Sequence, residues 1–159
     1  MINNSDIRVF TNTKRAEEVE IGKEFKVTVT MPKDKKITDL KVLFNMEGEK
    51  PSVVKELALD NPKDIKEENV KLNFYTATVK LNRIGNFYYY FTFNDCYGNH
   101  QAIKLGRAEG KPIITMGESP YWRILVIQEN FTVPDWAKGA IYYQIFVDRF
   151  YHASANEKK

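Results

Sequence analysis

A chain of 159 residues with 24 basic and 21 acidic side chains carries a net charge of only +3, and its Lys and Glu are interspersed, as in KEFK, EGEK and DIKEEN. That pattern is a solvated surface and excludes the one-sided basic face that nucleic acid needs; no apolar run approaches the roughly 18 residues of a bilayer span, which excludes a membrane helix. At 43% hydrophobic and 28% charged, the chain supports one ordinary core with length to spare, and its single cysteine, Cys96, permits no internal disulfide.

The opening MINNSDIRVF has no basic segment followed by an apolar core, so no secretory leader is read there and a cytoplasmic protein is expected. IRVF, at 7–10, predicts a short first strand. In EFKVTVT (24–30), Phe25, Val27 and Val29 alternate with Lys26, Thr28 and Thr30, the period-two pattern of a strand with one buried face. Residues 31–36, with Pro32 and Asp34, read as a turn, and TDLKVLFN (38–45) repeats the alternation through Leu40, Val42 and Phe44. A turn around MEGEK and Pro51 leads to VVKELAL (53–59), which mixes strand and helix periodicities; LDNPKDIKEEN (59–69) is a charged loop. VKLNFYTATVKL (70–81) places Tyr75, Ala77, Val79 and Leu81 on one face. NRIGN (82–86) suits a tight turn, and FYYYFTF (87–93) puts Phe87, Tyr89, Phe91 and Phe93 on one side against Tyr88, Tyr90 and Thr92 on the other. NDCYGN (94–99) is a second turn, with Asp95 and Gly98 as turn formers. HQAIKLG is a short strand, RAEGKPIITMGESP (107–120) a loop and YWRILVIQ (121–128) the closing strand. Short strands at this spacing, rich in aromatics and with no convincing helix before residue 130, predict an all-β domain over 1–130, an immunoglobulin-like antiparallel β-sandwich.

Past that domain the composition changes. ENFTVPDWAKG contains Pro134, which pushes Val133 into extended geometry, and residues 131–139 are read as a linker. GAIYYQIFVDRF then holds an apolar run from Ala140 to Val147 in which only Gln144 has a strongly polar side chain. A strand with one wet face alternates; a continuous β-branched and aromatic run is expected of a strand buried on both faces, as in a parallel sheet wrapped by helices. Only YHASANEKK follows Phe150, so residues 140–159 are expected to be the truncated start of a further domain.

VPDWAKGAIYYQIFVDRF (133–150) resembles the entry into the catalytic barrel of the α-amylase-type glycoside hydrolases (family thirteen), in particular the neopullulanase, cyclomaltodextrinase and maltogenic amylase group. Tyr143, Gln144, Ile145 and Phe146 match that family's first barrel strand, and Asp148, Arg149 and Phe150 the Asp-Arg-Phe behind it. The FYYYFTF strand and the Asp-Tyr-Gly turn are similar, more weakly, to the family's N-terminal module. The resemblance implies a carbohydrate-binding-module-like sandwich followed by the first strand of a (β/α)8 barrel. The parent it implies is a retaining enzyme acting on an α-glucan such as starch, maltodextrin or cyclodextrin. Retention needs a carboxylate nucleophile and a protonated carboxylic acid about 5 Å apart, and barrel enzymes place such groups at the ends of several different strands. In this family they lie on later strands, so no catalytic residue is expected here, and Asp148 is read as pairing with Arg149 or another neighbour. Some relatives bind calcium in an Asn-, Asp- and Gly-rich loop after Asp-Arg-Phe. Tyr151, His152, Ala153, Ser154, Ala155 and Asn156 depart from that pattern, so neither a metal nor another cofactor is expected.

A glucan site needs exposed rings, because sugar C–H faces stack on flat apolar surfaces, with polar neighbours for the hydroxyls. Tyr88 and Tyr90, together with Phe74 on the preceding strand, are a candidate platform. Trp122 either caps the core or holds sugar, with the core role favoured. For the Tyr88–Tyr90 face, packing against the barrel or against a second copy in a homodimer is the favoured use. Trp136, Pro134, Tyr143 and Phe146 are the expected interface to the missing barrel. Cys96, with only His100 near it in sequence, is a bystander and not a nucleophile. The expected function is therefore that of a non-catalytic N-terminal module serving domain packing, oligomerisation or substrate recruitment. The competing reading is a self-standing immunoglobulin-like assembly or adhesion domain, in which residues 139–150 would be an integral strand of the sandwich.

Overall fold

Period-two alternation becomes two facing sheets in the computed structural model, which describes residues 2–13, 18–60, 71–107 and 110–141. The expected barrel strand, with Tyr143, Phe146, Asp148, Arg149 and the calcium-loop positions, lies outside those residues. In chain order the strands are β1 (Val9–Thr11), β2 (Glu18–Glu20), β3 (Glu24–Pro32), β4 (Thr38–Met46), β5 (Val53–Glu56) and β6 (Ala58–Leu59). They continue as β7 (Leu72–Lys80), β8 (Gly85–Asn94), β9 (His100–Leu105), β10 (Pro112–Ile114) and β11 (Trp122–Ile127). No α-helix occurs among the described residues, which form an all-β sandwich.

One sheet has the order β1-β3-β7-β6 and is antiparallel throughout. The other is built around β8. Along one edge β8 pairs with β4, which carries β5 on its far side. Its other edge is shared, with β11 against Gly85–Tyr89 and β9 against Phe91–Asn94. β10 extends β9, and β2 runs parallel to β11.

The faces fall where the alternation puts them. Phe25, Val27 and Val29 of β3 are buried against Val42 and Phe44 of β4 and against Phe87, Tyr89, Phe91 and Phe93 of β8. The Phe25 ring meets Phe44 edge-on with centroids 6.0 Å apart and Tyr89 at 5.7 Å, aromatic geometry that stabilises beyond the area it buries. Thr30 is fully buried and satisfied: its hydroxyl donates to Asp6 O and accepts from Arg8 N, both at 2.8 Å.

Partner assignment departs from the sequence reading in three places. β7 and β8 are consecutive, yet they lie in opposite sheets, so NRIGN is a crossover and not a hairpin turn. Gly85 begins β8 at φ +133°, a backbone conformation that residues with a side chain rarely adopt, and a Cβ there would also displace Met46 Cε, 2.8 Å away. The 53–59 stretch is two strands: β5 joins β4, β6 joins β7, and buried Leu57 between them donates its N–H to Leu40 O at 2.9 Å. A segment that changes sheets and turns one residue inward mid-way reads as mixed periodicity. β2 and β10 are three residues each, too short to show a pattern, and β10 lies inside the expected 107–120 loop. After β11 the chain leaves through a turn in which Asn130 sits at φ 57° and Phe131 N donates to Gln128 O at 3.2 Å.

Candidate functional site

The outward face of β8 is where the candidate tyrosines stand. Tyr88 pairs with Asn45 on one side and Arg123 on the other, while Tyr90 lies opposite Leu43. Tyr121 immediately precedes β11, and its ring stacks on Tyr90 with centroids 4.7 Å apart and an interplanar angle of 20°. Burial, with a smaller contribution from Tyr121, holds the Tyr90 phenol above its ordinary pKa. Lys104 of β9 is buried, donates from Nζ to Gly117 O at 2.9 Å and lies 5.6 Å from the centroid of the Tyr121 ring. A shallow groove of about 390 Å³ runs beside them, with Arg107, Met116 and Pro120 among its walls. Tyr90 and Tyr121 therefore each have one ring face covered by the other, and Lys104 is drawn in beside them.

The four expected sugar-contacting residues do not converge. Tyr88 and Tyr90 share a face, as alternation requires. Phe74 does not join them, because it lies on β7, opposite Thr30, on the outer face of the other sheet. Trp122 points the other way: it pairs with Tyr89, stacks on that ring at 5.9 Å and meets Phe91 edge-on at 5.7 Å, beside buried Ile124 and Val126. Its core role is the one observed, and its accessible edge also lines clefts of about 190 and 420 Å³ at the rim of the sandwich. Tyr121 was missed by the sequence reading. The signal was present: with Trp122 directed inward, its neighbour must face out, beside the outward side of β8.

A second feature follows the sandwich. Phe131, Val133, Trp136 and Ile141 are all exposed, Trp136 at 76% and Ile141 at 84% of full accessibility. Pro134 stands immediately before a single 3-10 turn, Asp135–Ala137, closed by Ala137 N donating to Pro134 O at 2.9 Å and steadied by a 2.6 Å ion pair between Lys138 and Asp135. This local scaffold holds the indole in water. Among the described residues no three His, Cys, Asp or Glu side chains gather as a metal site.

No family model matches the chain. Part of it is similar to three long amylopullulanases. Over 91 residues it is 34% identical to that of Thermoanaerobacterium thermosulfurigenes, a match covering 55% of this chain and 4% of the relative. Over the same length it is 36% identical to that of Thermoanaerobacterium saccharolyticum, covering 55% of this chain and 6% of the relative. For the Thermoanaerobacter thermohydrosulfuricus protein the identity is 30%, over 54% of this chain and 6% of the relative. The chain thus spans only a small part of the length of the curated relatives it matches.

Proposed function

We propose that this chain is a non-catalytic β-sandwich module of an α-amylase-type enzyme acting on α-glucans, and that residues 131–141 dock it onto the domain that follows. The observation that carries the reading is the exposed apolar series Phe131, Val133, Trp136 and Ile141. Single exposed hydrophobes are ordinary, whereas four within eleven residues, one of them a tryptophan, point to a segment that is covered by a partner. Covering one large aromatic buries roughly 150–250 Å², about 4–6 kcal/mol of gross hydrophobic gain at 25 cal/mol per Å². The amylopullulanase relatives support the enzyme class, and the small share of each that is matched supports a modular role. The likeness of residues 133–150 to a barrel entry supports the position of the docking partner.

The test compares this chain with the longer natural chain that contains it, by hydroxyl-radical footprinting read peptide by peptide in a mass spectrometer, so that Trp136 is followed separately from every other tryptophan. Trp136 should be oxidised freely in the short chain and weakly in the long one. The long chain should hydrolyse soluble starch or pullulan, and the short one should not. Equal oxidation of Trp136 in both would remove the docking role; a longer chain without glucan hydrolysis would remove the enzyme reading and favour a self-standing assembly domain.

A further inference from the structure

The turn between β8 and β9 is built to hold one ring in water. Asp95 Oδ1 accepts from Tyr97 N and from Asn99 N, both at 2.9 Å, and its Oδ2 accepts from Asn99 Nδ2 at 3.1 Å. The backbone closes around it, with Asp95 N donating to Asn99 O and Gly98 N to Asp95 O, each at 3.0 Å, and Gly98 at φ +82°. The result is Tyr97 at 86% exposure, the most exposed large hydrophobic side chain among the described residues. Unlike Tyr90 and Tyr121, its ring has no aromatic or cationic partner among the described residues.

Tyr97 forms one wall of a cavity of about 550 Å³, within the range of small-molecule sites. Ile114 and Phe93 give it an apolar wall, and Asn3, Gln101 and Lys36 give it polar ones. The Asn3 and Gln101 amides make no side-chain hydrogen bond among the described residues, so their donors and acceptors are uncommitted. Of the charges lining it, Lys35 pairs with Asp34 at 2.6 Å and Asp95 is committed to its own turn, while Lys36 makes no ion pair among the described residues and stays available as a hydrogen-bond donor. An exposed ring beside two free amides and one ammonium donor suits a polyhydroxylated ring, whose apolar face needs the aromatic surface and whose hydroxyls use both donors and acceptors, whereas an anion would use the donors alone.

We propose that this cavity is a sugar-binding subsite in which one glucose unit of an α-glucan stacks on Tyr97 while its hydroxyls reach Gln101 and Asn3. The choice of an α-glucan rests on the enzyme reading above; the choice of a sugar rests on the cavity. Because the turn already fixes the ring, little side-chain ordering is left for binding to cost.

Cys96 is free, exposed and lines the same cavity, so it is a built-in reporter. The experiment measures the rate of Cys96 modification by a neutral aromatic disulfide in the intact chain, with maltoheptaose, cellohexaose or inorganic phosphate present. With maltoheptaose at about ten times its dissociation constant, mass action leaves roughly one site in eleven empty, so the rate should fall about tenfold. Tyr97→Ala should abolish the protection, and Tyr97→Phe should keep it. Protection by cellohexaose and not maltoheptaose would keep the sugar site but overturn its α-glucan assignment. Protection by phosphate alone, or by none of the three, would overturn the site, leaving the docking reading to stand or fall on Trp136.

Discussion

The two tyrosine neighbourhoods of the β8–β9 hairpin differ in what their rings already touch. Tyr90, in the strand, stacks on Tyr121 at 4.7 Å, and Tyr121 also lies under the buried Lys104. Tyr97, three residues past the strand's end, touches no other ring among the described residues and stands almost fully in water. Both are outward-facing aromatics by pattern. Spent rings hold a surface together, and unspent rings can accept a ligand. The comparison shifts the search for a ligand from the face of the sheet to its end.

The largest effect expected is on the inner face of the same strand, which sets the scale for the two outer neighbourhoods. Phe91 is completely buried and packs against Tyr89 and Trp122. Phe91→Ala should destabilise the fold by about 3–5 kcal/mol in urea unfolding, the usual cost of deleting a core ring. Tyr121→Ala comes next, at about 1 kcal/mol, because it removes one aromatic stack and exposes Lys104. A Tyr90/Tyr121 double-mutant cycle should return most of that as coupling. If the two changes simply add, the rings are neighbours without being partners, and the contrast with Tyr97 collapses. Tyr97→Ala should leave unfolding stability within about 0.5 kcal/mol, as expected for an exposed side chain with no packed neighbour. A larger loss would mean that the ring is structural.

Legibility in the sequence divides along the same line. Period-two alternation identified which side chains of β3, β4, β7 and β8 face inward, because a strand's geometry is written in adjacent residues. It could not say which strands pair. Phe74 was expected beside Tyr88 and Tyr90 because β7 precedes β8, yet the crossover at Leu81 and Gly85 sends the two into opposite sheets. Register between β3 and β7, from Glu24↔Lys80 to Pro32↔Leu72, is a contact between distant parts of the chain and has no local signature. Trp122 was ambiguous for a related reason: its inward direction is clear only once β11 is set against β8. Asp95 and Gly98 were legible as turn formers, but the cavity beside them needed Asn3, Lys36, Gln101 and Ile114, which only the fold assembles.

The smallest effect expected is also the one most specific to the exposed ring. Burial works to raise the Asp95 pKa, but hydrogen bonds from the backbone and side chain of Asn99, and from Tyr97 N, outweigh it, so the carboxyl sits below the ordinary value of 3.8. The charged form is therefore the one the folded turn prefers, and its contribution is fully present above pH 3.8. As pH falls through the lower folded-state value, protonation should weaken the three bonds and release Tyr97 while the sandwich core stays intact. Amide shifts of Tyr97 and Asn99 followed by NMR should titrate together below pH 3.8, with core amides such as Val27 unmoved. Asp95→Asn keeps an acceptor oxygen and removes the charge, so it should hold the ring and erase the titration. An inflection at or above 3.8 would show that the turn does not depend on the carboxylate, and that the fixed position of Tyr97 has another cause.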